Sequence, residues 1–316
     1  MRKALVVGIN DYPNAPLRGC VNDANAIASV LEKHGDGSPN FSVISLTSPS
    51  KTIGRAELRG AIEKLFEGDC DISLFYFSGH GIVTSTGGHI VTTDAKKYDE
   101  GVSMVDILTL ANNSRAKNKV ILLDCCQSGA LGSPTTTGSN VAQLSEGLSV
   151  LTASRDSESA LEINGKGVFT ALVVDALQGG AADLRGAVTP GSIYAYVDQA
   201  LGPWDQRPIF KTNVTSFTSL RFITPPVPFE TLRKLCTYFP SPQDEYPLDP
   251  SYEFMETAHA IPEHVAILQD LQKFARVGLV VPVGEEHMYF AAIHSKSCRL
   301  TALGYQYWRL INENRL

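Results

Sequence analysis

Five short apolar runs, each closed by small or polar residues, restrict this chain to one broad architecture. They are Lys3–Gly8, Phe41–Leu46, Ile72–Phe77, Lys119–Leu123 and Leu148–Thr152. Between and after them come amphipathic stretches, Ala24–His34, Arg55–Phe66, Met104–Ser114 and Val168–Gln178. Strand runs alternating with helices of this length predict βαβ units, a mostly parallel sheet and helices on both of its faces. The run Ile72-Ser73-Leu74-Phe75-Tyr76-Phe77 is almost continuously apolar, as expected of a strand covered on both sides.

Two of these runs end in residues that carry chemistry. Ile72–Phe77 leads into Ser78-Gly79-His80-Gly81, and Lys119–Leu123 leads into Asp124-Cys125-Cys126-Gln127-Ser128-Gly129. Side chains just past the carboxyl ends of neighbouring parallel strands meet in the crevice where open α/β sheets place their sites. A histidine and a cysteine are therefore expected to face each other there. A thiolate is the attacking species of a cysteine nucleophile, and an adjacent base supplies it.

Four stretches together resemble the caspase-like clan of cysteine peptidases, closer to its bacterial metacaspase-like group (orthocaspases) than to animal caspases. They are Val7-Gly8-Ile9-Asn10-Asp11-Tyr12, Leu17 to Ala24, Tyr76 to Gly81, and Asp124 to Gly129. A weaker fifth joins Leu151-Thr152-Ala153-Ser154-Arg155 to Gly167-Val168-Phe169-Thr170. The resemblance covers residues 1–223 and implies an α/β/α sandwich around a mostly parallel sheet. His80 precedes Cys126 by roughly the 50-residue interval between the two catalytic residues of caspases.

What the resemblance implies for the site is specific. The family pattern Asp-x-Cys-x-Ser-Gly makes Cys126 the nucleophile, with His80 as its general base and later as the acid for the leaving amine. The backbone N–H groups of Cys126 and Gly81 form the oxyanion hole. Cys125 is expected to be a core thiol on the opposite face, since neighbouring strand residues alternate sides. A substrate pocket falls on Cys20, Asp23, Ser78 and Asp124, and two confined carboxylates suit a guanidinium or ammonium group. Cleavage after Arg or Lys is expected, not after Asp. For Asp23 alone, an N-cap on a helix starting at Ala24 is the competing role.

Departures from the pattern shape the expectation further. Gln127 stands where metacaspases usually have His after the nucleophile. The stretch Ile82–Ile90 holds no acidic residue, and only Asp94, Asp99 and Glu100 follow, so no cofactor is expected and calcium dependence is not. From Gln127 to Ser154 there is no Lys or Arg, so an enzyme specific for basic residues has nowhere to cut itself in that loop.

Thr224-Pro225-Pro226-Val227-Pro228 marks a linker, 224–228, before a second region, 229–316. That region reads as helix Glu263–Val277, strand Met288–Ile293 and helix Tyr305–Asn312, a small α+β module similar to a winged helix. Its eight Lys and Arg face eleven Asp and Glu, a balance of −3, which disfavours phosphate contacts and so nucleic acid. A regulatory protein partner fits it better. The whole chain, 316 residues with a net charge of −6, shows no nucleic-acid or anionic-membrane signature. The six cysteines lack zinc-type spacing, and Asn10 and Asp11 interrupt the first apolar run too early for a signal peptide. The expectation is a soluble, cytoplasmic cysteine endopeptidase acting on protein substrates, an effector in stress, cell death or antiviral defence by analogy. Alternatives are a catalytically silent caspase-like scaffold and a DNA-binding regulator acting through 229–316.

Overall fold

The computed structural model describes residues 1–48, 52–125, 143–153, 162–163, 165–201, 207–255 and 260–316. They form two compact units, Met1–Thr224 and Pro225–Leu316.

The first unit is built on six strands, β1 (Arg2–Gly8), β2 (Ser42–Thr47), β3 (Ile72–Ser78), β7 (Asn118–Asp124), β8 (Leu148–Thr152) and β12 (Ile209–Asn213). Their order is β12-β8-β7-β3-β1-β2. All pairs are parallel except β12 with β8. Every residue of β3 is buried, which is why its sequence lacks polar alternation. Alternate residues face opposite layers. Val6, Leu74, Tyr76 and Leu122 pack with Ile27, Leu31, Phe169 and Val173. Leu5, Val7, Phe75, Phe77, Ile121 and Leu123 pack with Leu58, Ile62, Leu65 and Ile107. Each fully buried Leu or Phe of these layers contributes about 1.5–3 kcal/mol.

The first layer belongs to helices α1 (Cys20–Glu32), α4 (Val168–Asp175) and α5 (Pro190–Ala200), and the second to α2 (Arg55–Phe66) and α3 (Met104–Asn112). The result is the α/β/α sandwich expected from the alternation of runs. Gly8 lets α1 approach β1 closely, because a methyl group there would collide with the Cys20 carbonyl and the Ala24 side chain. Three further strands, β4 (Gly81–Thr84), β5 (Gly87–Lys96) and β6 (Asp99–Ser103), form an antiparallel sheet directly after β3. Two-residue pairs complete the unit, β9 (Glu162–Ile163) with β10 (Lys166–Gly167), and β11 (Ala187–Val188) with β13 (Arg221–Phe222).

The second unit contains α6 (Phe229–Arg233), α7 (Leu235–Tyr238), β14 (Glu245–Pro247), α8 (Pro262–Arg276), β15 (Val280–Val283), α9 (Met288–Ile293), β16 (Ser297–Leu300) and α10 (Ala302–Asn312). Its antiparallel sheet runs β14-β16-β15. The expected strand at Met288–Ile293 is instead helix α9. Its buried residues Met288, Ala291 and Ala292 fall at the i, i+3, i+4 spacing of one helical face. The strand lies earlier, at β15, where Pro282 is tolerated because β15 is an edge strand. Consequently β15 and β16 pair across an intervening helix, not across a tight hairpin.

Candidate active site

The three central strands end level with one another. Parallel register places Gly8 of β1 opposite Ser78 of β3, and Ser78 opposite Asp124 of β7. His80 follows two residues after Ser78, and Cys126 holds the same position after Asp124. The Gly79 N–H donates to the Asp124 carbonyl at 3.3 Å, so the turn carrying His80 is tied to the end of β7. Cys126, Gln127 and residues 128–142 lie outside the described residues. Cys125 is fully buried in the layer with Ile121 and Leu123, a core thiol.

His80 is held from three sides. Its backbone N–H donates to the Tyr12 hydroxyl at 3.0 Å, and that hydroxyl lies 3.2 Å from the Val91 carbonyl it donates to. The Tyr12 and His80 rings sit with centroids 4.6 Å apart. Burial pushes the Tyr12 phenol far above its ordinary range, against the lowering effect of the His80 N–H, so Tyr12 stays neutral. The His80 Nε2 lies 2.7 Å from the Ala15 carbonyl. A carbonyl only accepts, so Nε2 carries the proton and Nδ1 is the free base of the neutral ring. The loop bearing Ala15 is pinned by Asn10, whose side chain donates to the Arg18 carbonyl at 3.3 Å and accepts from the Val21 N–H at 3.2 Å. Neither Tyr12 nor Ala15 was assigned a role from the sequence. Tyr12 lies inside a quoted motif, whereas a backbone carbonyl leaves no mark in side-chain identity.

The two acids converge on one point of the fold. Asp23 and Asp124 are 3% and 5% exposed, so both carboxylates are withdrawn from bulk water. Asp23 accepts the Gly167 N–H through both oxygens, at 3.1 and 3.0 Å, and the Ser78 hydroxyl at 3.3 Å. Asp124 Oδ2 accepts the Thr170 hydroxyl at 2.6 Å and the Thr170 N–H at 3.3 Å. The Thr170 hydroxyl also meets the Tyr76 hydroxyl at 2.6 Å. Burial first, then the charges of Asp124 and Asp23, push the Tyr76 phenol well above its usual range. Cys20 is buried one helical turn before Asp23. Asp23, Ser78 and Asp124 thus lie together, Cys20 is buried on the same helix as Asp23, and Gly167 and Thr170, present in the sequence only as a weak motif, are partners of the acids.

Asp23 is not the N-cap of its helix. The helix starts at Cys20, capped by Gly19, and the Asp23 carboxylate turns to Gly167 and Ser78. Asp94, Asp99 and Glu100 each have a partner among the described residues, Glu100 accepting the Tyr98 N–H at 3.0 Å. Asp94 accepts the Arg55 N–H at the start of α2, and Asp99 pairs with the Arg55 guanidinium. Among the described residues no three His, Cys, Asp or Glu side chains gather as metal ligands, and no helix is long and apolar enough to cross a membrane.

A histidine and two buried acids at the carboxyl edge of a three-layer α/β/α sheet place the first unit in a recognised fold class. The model of the caspase domain matches residues 1–218, and the chain belongs to that family. A metacaspase-9 of Arabidopsis thaliana is 29% identical over 147 residues, covering 41% of this chain and 44% of that protein, so the chain matches less than half of that relative's length. The structure of a Geobacter sulfurreducens protein aligns at TM-score 0.54 and 17% identity, covering 71% of this chain and 100% of that one. Caspase-1 of Spodoptera frugiperda aligns at TM-score 0.52 and 14% identity, covering 71% and 91%. These two likenesses concern the fold.

Proposed function

We propose that the chain is a cysteine endopeptidase that cuts proteins after Arg or Lys, with Cys126 as nucleophile and His80 as base. The observation that carries this reading is the convergence of Asp23 and Asp124 beside the strand end that bears His80. Two desolvated carboxylates draw a guanidinium or ammonium group far more strongly than exposed ones do.

In the proposed reaction the Cys126 thiol gives its proton to His80 Nδ1, the nitrogen left free by the Ala15 bond. The thiolate adds to the scissile carbonyl, and the oxyanion is met by the N–H groups of Cys126 and Gly81. His80 returns the proton to the leaving amine as the C–N bond breaks. Water, deprotonated by His80, then hydrolyses the thioester and frees the thiol.

Peptide reporters bearing Arg, Lys, Asp or Ala before the scissile bond test the reading, each with wild type and Cys126→Ala, with and without calcium. Turnover of Arg and Lys reporters that is lost in Cys126→Ala and indifferent to calcium supports it. Fastest turnover of Asp reporters refutes the specificity, and a calcium requirement refutes metal-free action. The catalytic unit is proposed to work uncut between Gln127 and Ser154, which lacks basic residues. Terminal sequencing of active protein that finds a cut there overturns this. Residues 229–316 are proposed to bind a regulatory protein, and a gel shift with DNA that weakens with salt would replace that role.

A further inference from the structure

We propose that the amino end of α4, through Gly167 and Thr170, is the device that sets the two pocket carboxylates for a basic side chain. This deepens the Arg/Lys reading and rests on it. Gly167 is the residue before the first turn of α4, and Thr170 is the third residue within it. The helix therefore presents its unpaired N–H groups, and the positive end of its dipole, to both acids at once. The Gly167 N–H spans both oxygens of Asp23, while Thr170 gives an N–H and a hydroxyl to Asp124 Oδ2.

Gly167 also sets how near the acids come. A methyl group on its Cα would collide with Asp124 Oδ2 and lie 3.0 Å from Asp23 Oδ2. Any side chain there would push Asp124 out of place. Like charges this close raise each other's cost of ionisation, and burial adds to it. Donors fixed by a helix end offset part of that cost before substrate arrives. The same end is fastened to α1 at a second point, where the Asn22 side-chain amide donates to the Gly165 carbonyl at 3.1 Å. Its other side is fastened to β3 through the bond between the Tyr76 and Thr170 hydroxyls. Residues from α1, β3 and β7 are thus gathered by one helix terminus, and Thr170 is a positioning residue acting through Asp124.

The test compares Thr170→Val, which keeps the shape and removes the hydroxyl, with Thr170→Ser, which restores it. With an Arg reporter, Thr170→Val is expected to raise KM about tenfold with kcat within about twofold of wild type, and Thr170→Ser to return KM to near wild type. In the Cys126→Ala background, fluorescence anisotropy of a labelled arginyl peptide is expected to show the same loss and rescue of affinity. A purely structural Thr170 predicts a lower melting temperature in Thr170→Val with KM and affinity unchanged, and that result overturns the proposal. So does a fall in kcat at constant KM. If Thr170→Val does not fold, Thr170→Ala carries the same comparisons. The wild-type column separates the two levels. Basic specificity with an indifferent Thr170 defeats this inference alone, whereas a wild type that prefers Asp reporters defeats the specificity reading beneath it as well.

Discussion

Buried acids are held in contrasting ways in the two units. Asp270 of α8, 5% exposed, is met by two ammonium groups, Lys234 at 2.7 Å and Lys273 at 3.0 Å, and by the Tyr238 hydroxyl at 3.0 Å. Asp23 and Asp124, equally buried, take bonds from the neutral donors Ser78, Gly167 and Thr170. An acid already matched to its own lysines has its charge balanced inside the fold and serves cohesion. Among the described contacts, the bonds to Asp23 and Asp124 come from hydroxyl and backbone N–H dipoles, which hold a carboxylate in a fixed direction. Burial alone therefore does not separate the two kinds of acid; the chemistry of the donors around them does.

The largest effect that tests this contrast comes from neutralising the pocket acids one at a time. Asp23→Asn and Asp124→Asn are each expected to lower kcat/KM on Arg reporters about 10²- to 5 × 10³-fold, since breaking a desolvated ion pair costs about 3–5 kcal/mol. Steady-state kinetics checks it, and a loss below tenfold in both variants would erase the distinction from Asp270. The reciprocal change, Asp270→Ala, is expected to leave those kinetics within twofold and to lower stability by about 1–3 kcal/mol, because Tyr238 loses its acceptor and two lysines their counter-charge. Urea unfolding reads the loss.

A smaller effect lies in acid solution. Burial works to raise the Asp270 carboxyl, but the bonds from Lys234, Lys273 and Tyr238 outweigh it and hold it below its ordinary value near 3.8. A depressed carboxyl stabilises the fold fully above that ordinary value and loses its contribution as pH falls below it. Melting curves between pH 5 and 2 should therefore decline less steeply for Asp270→Asn than for wild type. The smallest signal concerns thiols. Burial, with the Glu245 charge in support, pushes Cys298 up to about 12, so it stays protonated at pH 8. Mass spectrometry after brief alkylation should find Cys298 unmodified in native protein and modified after denaturation. Rapid native labelling there would place a second reactive thiol in the unit read as non-catalytic.

The sandwich was legible because its central strands β3, β7 and β8 are buried on both faces. β3 could only be written with a nearly continuous apolar run, and β8 was placed at Leu148–Thr152 with the observed bounds. His80, Asp23, Ser78, Cys20 and Asp124 could be named as candidates because their side chains carry the chemistry that the resemblance implies. α9 was misread because Met288-Tyr289-Phe290-Ala291-Ala292-Ile293 is as apolar as a strand, and six residues are too few for period to decide between helix and strand. β4, β5 and β6 left a weak trace, since Gly81–Ser103 mixes glycine, threonine and charge without clean alternation. Gly167 acts through its N–H and its lack of a side chain, which no motif for acids or thiols detects.

Because His80 is oriented by the Ala15 carbonyl, a genetic screen has a blind spot at that residue. Every amino acid carries that oxygen, so a library of substitutions at Ala15 would return mostly active clones and suggest an idle loop. The contribution would surface one step away, at Asn10, whose amide holds the loop in place. Variants there would lose turnover while the thiol still forms an adduct with a small electrophile. A mutational map of this protein thus understates the part played by main-chain atoms, and silence at Ala15 is what a working orienting group would produce.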